Sequence, residues 1–215
     1  MRRIFCIGRN YGEHIKELGN SLPAQTNSPS SPIIFMKPES SLIFNGESSP
    51  FPTHGQDLHH EIEVVIEVSG SPKEFNKKAA IEIISGVTLG IDLTLRDIQA
   101  ELKKQGLPWE KAKSFDGSAL IGVIKEFKIL DPEMDLDLNN IDFSLEINGV
   151  IKQKGNTKEM LLDIPSLILE INKIWKLRPG DLIYTGTPQG VGPLHAGDKI
   201  IAKSPQIGVF DWKII

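Results

Sequence analysis

One segment in the first third of the chain has the regular alternation of a β-strand. Residues 59–68 carry apolar side chains at every second position, at Ile62, Val64, Ile66 and Val68. Successive side chains of a strand point to opposite faces of a sheet, so these four side chains share one face. The segment therefore predicts a strand whose apolar face packs on a core, in a fold organised around a β-sheet.

Short strands, separated by loops rich in Gly and Pro, account for most of the remaining pattern. Predicted strands cover residues 3–7, 33–37, 87–93, 182–185, 199–203 and 209–215. A hairpin is predicted for residues 143–154, because Asn148-Gly149 tolerates the positive φ of a two-residue turn. Predicted helices are short and cover residues 11–18, 77–85, 94–105 and 165–175. The expected fold class is α+β, with a mostly antiparallel or mixed sheet that can close on itself.

Residues 1–215 are expected to form one domain, because no repeat or low-complexity linker divides them. Asp and Glu number 28 against 24 Lys and Arg, and the net charge of −4 argues against nucleic-acid binding. No stretch approaches the roughly 18 apolar residues of a membrane span. The single cysteine, Cys6, excludes an intrachain disulfide and a cysteine-based zinc site. The first apolar run stops at Gly8, too short for a signal peptide, so a cytoplasmic location is expected.

Two glutamates occupy alternate positions of the clearest predicted strand. Glu61 and Glu63 project from the same face, with Cα atoms about 6.6 Å apart. Two carboxylates that converge on one point suit a hard divalent cation such as Mg²⁺ or Mn²⁺. On spacing alone, a solvated strand face is the more common explanation of this pattern.

A third carboxylate, Asp92, ends an apolar strand run just before a predicted helix. It could serve as a further metal ligand, and Asp92 or Thr94 could equally cap the helix. Arg96 and Gln99 are three residues apart and therefore share one face of that helix. An arginine fork and an amide suit an anionic substrate, although a surface arginine is the simpler explanation.

Two further segments could contact an anionic ligand. Lys111 and Lys113 alternate, so one is expected to point inward, where it would stabilise developing negative charge. Two surface lysines would show the same spacing. Residues 184–193 are rich in Gly and Thr, and their backbone amides and hydroxyls could bind an anion. This segment lacks the nucleotide-binding P-loop pattern, and a plain turn is the alternative.

A histidine and a glutamate lie near the N-terminus at helical spacing. His14 and Glu17 can hydrogen bond, and a carboxylate that holds an imidazole makes a general base for water. A surface pair on a helix is the commoner explanation. The polar residues 20–32 follow and predict a mobile loop, so residues around 12–32 are expected to form a lid.

Five stretches, taken together and in this order, resemble the fumarylacetoacetate hydrolase family. They are GRNYGEHIKELGN, PIIFMKPESSL, HHEIEVVIEV, GVTLGIDLTLRDIQAELKKQGLPWEKAKSFDGSA and GDLIYTGTPQGVGPLHAGD. The resemblance covers nearly the whole chain. It is closest to the single-domain branch that includes acylpyruvate hydrolases and oxaloacetate decarboxylases and tautomerases. It implies a β-rich roll with short helices, assembled as a homodimer or larger.

The resemblance also implies roles for individual residues. The family's metal ligands fall on Glu61, Glu63 and Asp92. The implied cofactor is Mg²⁺ or Mn²⁺. The substrate-binding residues fall on Arg96, Gln99, Lys113 and Thr187. The residues with catalytic roles fall on His14, Glu17 and Lys113, with the first two on a segment that orders when ligand binds.

The implied function is that of a divalent-metal-dependent enzyme acting on a small 2-oxo acid through an enolate. The expected reactions are acylpyruvate C–C hydrolysis, oxaloacetate decarboxylation, or both. The same site could instead serve an oxaloacetate keto-enol tautomerase or a 2-hydroxyhepta-2,4-diene-1,7-dioate isomerase. A different class is a non-catalytic relative that binds a metal or ligand. The retention of the three carboxylates with His14, Glu17 and Lys113 argues against that class.

Overall fold

Strands dominate the computed structural model, which describes residues 2–17, 32–127 and 136–215. The strands are β1 (Ile4–Ile7), β2 (Ile34–Lys37), β3 (Leu42–Phe44), β4 (Ser48–Ser49), β5 (Leu58–His60), β6 (Ile62–Val68), β7 (Ile84–Asp92), β8 (Thr94–Leu95), β9 (Ala119–Ile121), β10 (Lys125–Glu126), β11 (Asp142–Ile147), β12 (Val150–Asn156), β13 (Asp181–Tyr184), β14 (Gly192–Pro193), β15 (Lys199–Ser204) and β16 (Gly208–Ile214). The helices are α1 (Gly12–Glu17), α2 (Lys77–Glu82), α3 (Arg96–Gln105), α4 (Glu110–Lys113) and α5 (Ile164–Ile174). Within the described ranges, no helix combines the length and apolar character needed to cross a membrane.

The strands form one large mixed sheet and two smaller sheets. The large sheet has the order β2-β1-β13-β6-β7-β9-β3, and β10 pairs with β7 beside this path. The second sheet has the order β12-β11-β15-β16-β4, and the third has the order β14-β5-β8. Most pairings are antiparallel, whereas β1 runs parallel to β13, β3 runs parallel to β9, and β4 runs parallel to β16. The predicted α+β class with a mixed, strand-rich architecture is confirmed.

The strand β6 lies inside the large sheet and is buried on both faces. Its predicted apolar face belongs to the larger core of the protein. The opposite face also packs inward, because Val65 lies in a second core with Cys6 and Tyr184. The alternation therefore predicted the strand and one of its contacts correctly. It understated the burial, since both faces of a sheet can be covered when further elements pack on each side.

Several predicted boundaries differ from the structure where backbone pairing competes with helix formation. The helix predicted from residue 94 begins at Arg96, because Thr94 and Leu95 pair with β5. It ends as expected at Gly106, which adopts φ 69° while its amide bonds back to the helix. The helix predicted for residues 77–85 ends at Glu82, since β7 already begins at Ile84.

The predicted hairpin is present as β11 and β12. Its turn residues, Asn148 and Gly149, have φ angles of 52° and 80°, as a tight turn with positive φ requires. The register shifts between Leu145 and Glu146, which face Gln153 and Ile151 respectively. This irregularity leaves one extra residue on β12 and directs the Gln153 side chain into the protein.

Candidate metal centre and active site

Three carboxylates converge where β6 begins and β7 ends. The amide of Asp92 donates to the carbonyl of Glu61 over 2.8 Å, and Glu63 pairs with Gly90 across the two strands. One oxygen from each of Glu61, Glu63 and Asp92 lies within 4.8 Å of the others, and all three residues are buried. The solvated strand face considered for Glu61 and Glu63 is therefore wrong.

The two predicted cationic side chains, Lys113 and Arg96, lie directly against this carboxylate cluster. The Lys113 ammonium donates to Glu61 Oε2 and to Asp92 Oδ2, each over 2.7 Å. Arg96, at the start of α3, donates through Nη2 to Glu61 and through Nη1 to Gln99 Oε1, the latter over 2.8 Å. Of the two alternating lysines, Lys113 is the buried one and Lys111 is exposed. The helix α4 thus turns one lysine toward the carboxylates.

A second buried lysine, Lys37 at the end of β2, was missed by the sequence reasoning. Its ammonium lies 2.8 Å from Asp92 Oδ1 and donates to the carbonyl of Ser118 over 2.9 Å. It also donates to the carbonyls of Leu93 and Lys113. The available signal was a lone lysine at the end of an apolar strand, directly before Pro38. A buried lysine must find anionic or carbonyl partners, so this position indicated a buried site.

The pKa values of the two glutamates in the cluster are shifted in opposite directions. Burial favours protonation of Glu61, but the adjacent Lys113 and Arg96 outweigh it and hold the pKa of Glu61 well below its usual range. Burial raises the pKa of Glu63 well above its usual value, and the neighbouring Asp92 carboxylate raises it further. Burial alone would lower the pKa of Lys113, but Asp92 and Glu61 raise it, so this lysine is charged.

The residues of the cluster fit a hard divalent cation. The donors are carboxylate oxygens, which such cations prefer. Among the described residues, no lysine or arginine forms an ion pair with Glu63, whose Oε2 accepts from the amide of Gly186 over 2.6 Å. A buried carboxylate without a cationic partner is costly, and a cation bound beside it would offset that cost. Glu61, Glu63 and Asp92 are therefore the residues that could hold the metal.

The loop after β13 lies against the same cluster. The Thr185 hydroxyl donates to the Val64 carbonyl over 2.7 Å, and Gly186 binds Glu63 as described above. The next residue, Thr187, is buried, and its Oγ1 accepts from Gln153 Nε2 over 2.9 Å. The predicted substrate-binding threonine is thus adjacent to a residue that contacts a candidate metal ligand. Gln153 itself was missed, because the polar run Lys152-Gln153-Lys154 looks like an exposed strand.

The helix α1 carries the predicted dyad. His14 is buried, and its Nδ1 lies 3.3 Å from Glu17 Oε2. Burial lowers the pKa of His14, although Glu61 and Glu17 favour its charged form. Glu17 also accepts from the amide of Gly190 over 3.0 Å, so it connects the dyad to the loop that carries Thr187. Most of the predicted lid, residues 18–31, lies outside the described residues.

The chain belongs to the fumarylacetoacetate hydrolase family. Residues 3–215 match the family described as fumarylacetoacetate (FAA) hydrolase C-terminal. The matched residues include all three carboxylates, the His14–Glu17 dyad and the loop that contains Thr187. The resemblance drawn from the five sequence stretches is confirmed.

Three relatives have the names of enzymes that act on oxaloacetate or on fumarylpyruvate. The mitochondrial oxaloacetate decarboxylase of Dictyostelium discoideum is 42% identical over 201 residues, which cover 93% of this chain and 87% of that protein. The oxaloacetate tautomerase YcgM of Escherichia coli K12 is 37% identical over 199 residues, with coverages of 92% and 86%. The crystal structure of fumarylpyruvate hydrolase from Pseudomonas aeruginosa, in complex with Mn²⁺ and pyruvate, superposes with a TM-score of 0.87. It is 28% identical, and the match covers 100% of this chain and 90% of that one.

Proposed function

We propose that this chain is a divalent-metal-dependent enzyme that acts on a small 2-oxo acid through an enolate. The observation that carries the proposal is the buried set of Glu61, Glu63 and Asp92, closed on one side by the charged Lys113. We propose Mg²⁺ or Mn²⁺ as the cofactor, and the Mn²⁺ in the fumarylpyruvate hydrolase structure supports that choice. The cation would polarise the 2-oxo group and offset negative charge that develops on its oxygen.

The chain's own residues would bind and orient the substrate. Lys113 is a buried cation fixed beside the carboxylates, so it can stabilise negative charge on an enolate oxygen without reorganising. Arg96 and Gln99 are already hydrogen bonded to each other, and together they present donors suited to a carboxylate. Thr187 would donate a hydroxyl hydrogen bond from the opposite loop.

Oxaloacetate is the substrate that the relatives favour. In decarboxylation the C3–C4 bond breaks, CO₂ leaves, and the resulting enolate takes a proton at C3 to give pyruvate. In tautomerisation a proton moves between C3 and the oxygen on C2, and no carbon–carbon bond breaks. Both reactions place negative charge on the oxygen at C2, on the enolate of pyruvate in decarboxylation and on the enolate of oxaloacetate in tautomerisation. Lys113 would stabilise that charge in either case. The names of the decarboxylase and tautomerase relatives support both reactions equally.

A second candidate, acylpyruvate hydrolysis, is favoured by the dyad on α1. His14, held by Glu17, could take a proton from water, whose oxygen adds to the distal acyl carbonyl. The C3–C4 bond then breaks, which releases a carboxylic acid and the enolate of pyruvate. The fumarylpyruvate hydrolase relative supports this candidate.

Turnover of three substrates in parallel tests the proposal. Purified protein would be stripped with EDTA, reloaded with Mg²⁺ or Mn²⁺, and assayed with acetylpyruvate, oxaloacetate and the enol of oxaloacetate. We expect metal-dependent turnover of at least one of them, and a loss of at least a thousandfold in Lys113→Ala, the scale of about 4 kcal/mol. A loaded, folded protein that turns over none of the three would contradict the proposal.

A further inference from the structure

The side chain of Gln153 is buried beneath the loop that carries Thr187. Gln153 is 1% exposed, although it lies on the outermost strand of its sheet between two exposed lysines. Its Oε1 accepts from the amide of Ile62 over 3.1 Å and lies 2.9 Å from His60 Nδ1. Its Nε2 donates to the Pro188 carbonyl and to Thr187 Oγ1, each over 2.9 Å. A single amide therefore links the strand of the metal ligands to the Thr187 loop.

The orientation of this amide is fixed by backbone groups. An amide oxygen and nitrogen are distinguished by their partners, and here both partners have one possible role. The Ile62 N–H can only donate, so the atom that it contacts must be the amide oxygen. The Pro188 carbonyl can only accept, so the atom that contacts it must be the amide nitrogen. His60 Nδ1 must then carry the hydrogen that it shares with Oε1.

This orientation determines the direction of the Thr187 hydroxyl hydrogen. One Nε2 hydrogen is used by Pro188, and the other is donated to Thr187 Oγ1. Gln153 Nε2 has no lone pair to accept a hydrogen in return. The Thr187 hydroxyl must therefore direct its own hydrogen elsewhere. Within the described part of the chain, no other hydrogen bond occupies that hydroxyl.

The residue directly before Thr187 contacts the candidate metal centre. Gly186, directly before Thr187, donates its amide to Glu63 Oε2 over 2.6 Å. A buried hydroxyl hydrogen without an acceptor is costly, so the site is prepared for an acceptor supplied from outside the protein. The carboxylate of a 2-oxo acid is such an acceptor, and a hydrogen bond to a charged group is stronger than one between neutral groups.

We infer that Gln153 is a positioning residue that fixes Thr187 as a hydrogen-bond donor to the substrate carboxylate. The inference rests on the proposed function, since it deepens the description of the same site. Gln153 does not itself touch the substrate. It acts by holding the Thr187 oxygen as an acceptor, so that the hydroxyl hydrogen is aimed into the site before substrate arrives.

The variant Gln153→Glu tests this directly. A carboxylate of nearly the same shape keeps the partners at Oε1 but can only accept at the other oxygen. The Thr187 hydroxyl would then turn its hydrogen toward residue 153 and away from the substrate. We expect the Kd of Mg²⁺-loaded protein for pyruvate to rise about tenfold to a hundredfold, the scale of one hydrogen bond to a charged group. Isothermal titration calorimetry measures this Kd, and the Mg²⁺ affinity should stay within about threefold of wild type.

Variants of Thr187 separate positioning from simple packing. Thr187→Val removes the hydroxyl and should weaken pyruvate binding as much as Gln153→Glu does. Adding Gln153→Glu to Thr187→Val should cause little further loss of pyruvate affinity, because both changes remove the same hydroxyl donor to the substrate. Any small further loss measures the contact with the Pro188 carbonyl that Gln153→Glu also removes. Thr187→Ser keeps the hydroxyl and should keep both wild-type affinity and the full effect of Gln153→Glu. A full additional loss in the Thr187→Val background would overturn the inference, since Gln153 would then act independently of the hydroxyl.

A buried negative charge could prevent Gln153→Glu from folding, which circular dichroism and the Mg²⁺ titration would reveal. In that case Gln153→Met, which adds no charge, carries the test. It frees the Thr187 hydroxyl to rotate and should raise the pyruvate Kd about threefold or more, again with little effect in the Thr187→Val background. Pyruvate affinity equal to wild type in the folded glutamate variant, or in the folded methionine variant, overturns the inference alone. A wild-type protein that binds Mg²⁺ but neither binds pyruvate nor turns over any 2-oxo acid overturns the proposed function and this inference together.

Discussion

At the scale of single residues, Lys37 supports the structure of the site through its contacts with Asp92 and with three backbone carbonyls. Its ammonium is buried and forms an ion pair with Asp92. Lys37→Met would leave one carboxylate and three carbonyls without this partner. We expect the free energy of unfolding of metal-free protein to fall by about 3–5 kcal/mol, the usual cost of removing one partner of a buried pair. Urea denaturation measures this change.

The matched control for Lys37 is Lys111→Met. Lys111 is exposed, so its replacement should change the free energy of unfolding by less than about 0.5 kcal/mol. Equal stability of the two variants would show that the Lys37 contacts contribute little. That result would also remove the reason for regarding Lys37 as the support of Asp92.

The lowered pKa of His14 predicts how the rate of acetylpyruvate hydrolysis declines at low pH, which is the acid limb of its pH profile. Burial lowers that pKa below its ordinary value of 6.5, while Glu61 and Glu17 act in the opposite direction. A general base must be neutral to accept a proton, so activity is lost when the imidazole becomes charged. Because the pKa is lowered, acetylpyruvate hydrolysis should keep its rate as pH falls to about 6.5 and should decline only below that value.

The variant His14→Gln identifies the group responsible for that limb. Hydrolysis should fall about a hundredfold or more, and the residual rate should lose the limb assigned to His14. Oxaloacetate decarboxylation needs no activated water and should decline much less. A limb with a midpoint above pH 6.5, or an unchanged limb in His14→Gln, would mean that another group controls the rate.

At the scale of elements, the loop from Gly186 to Gly190 connects the carboxylate cluster with the His14–Glu17 dyad on α1. It meets the carboxylates at Gly186, β12 at Thr187 and α1 at Gly190. Gly190 has φ +96°, and a Cβ placed on it would lie 2.4 Å from the Lys152 carbonyl oxygen. The close approach is to backbone, so a larger residue can be accommodated only if the loop or β12 moves.

Gly190→Ala should therefore damage catalysis as well as stability. Displacing the loop would shift Thr187 and the amide that holds Glu17, and misplaced groups of this kind reduce kcat by about tenfold or more. The control is Gly197→Ala, because Gly197 has a similar φ of +98° with nothing within 4 Å of its Cβ position. Both changes introduce about 1–2 kcal/mol of backbone strain, measured by urea denaturation. Only the first should lower kcat, and equal kcat values for the two variants would contradict the role given to this loop.

The same elements explain what the sequence could and could not predict. Periodicity located β6, and the Asn-Gly turn located the β11–β12 hairpin, because both signals are local in the chain. The alternation of Glu61 and Glu63 indicated that they share a face, but burial depends on the strands that pair beside them. Gln153 was missed because a register shift in β12, set by its partner strand, decides which polar side chain turns inward. Lys37 was missed because its partners lie 55 or more residues away.

At the scale of the whole molecule, the large sheet ends in two edge strands, β2 and β3. Phe44, at the end of β3, is 51% exposed. An edge strand with a large exposed apolar side chain favours pairing with another chain. A homodimer was expected from the family resemblance, and symmetric pairs are the commonest assemblies of identical chains. We therefore expect light scattering at micromolar concentration to report a dimer of the 23.8 kDa chain.

The edge at β3 is the one we expect to be covered in that dimer. Phe44→Asp places a charge where the partner would pack, so it should convert the dimer to a monomer while circular dichroism stays unchanged. Phe75→Asp is the control, because Phe75 is 60% exposed but belongs to no strand, and its ring contacts Lys173 of α5. Both variants remove one exposed aromatic ring and add one charge, so a general loss of solubility would affect them equally. A dimer that survives Phe44→Asp would place the interface elsewhere, and a wild-type monomer would show that the edges are tolerated without a partner.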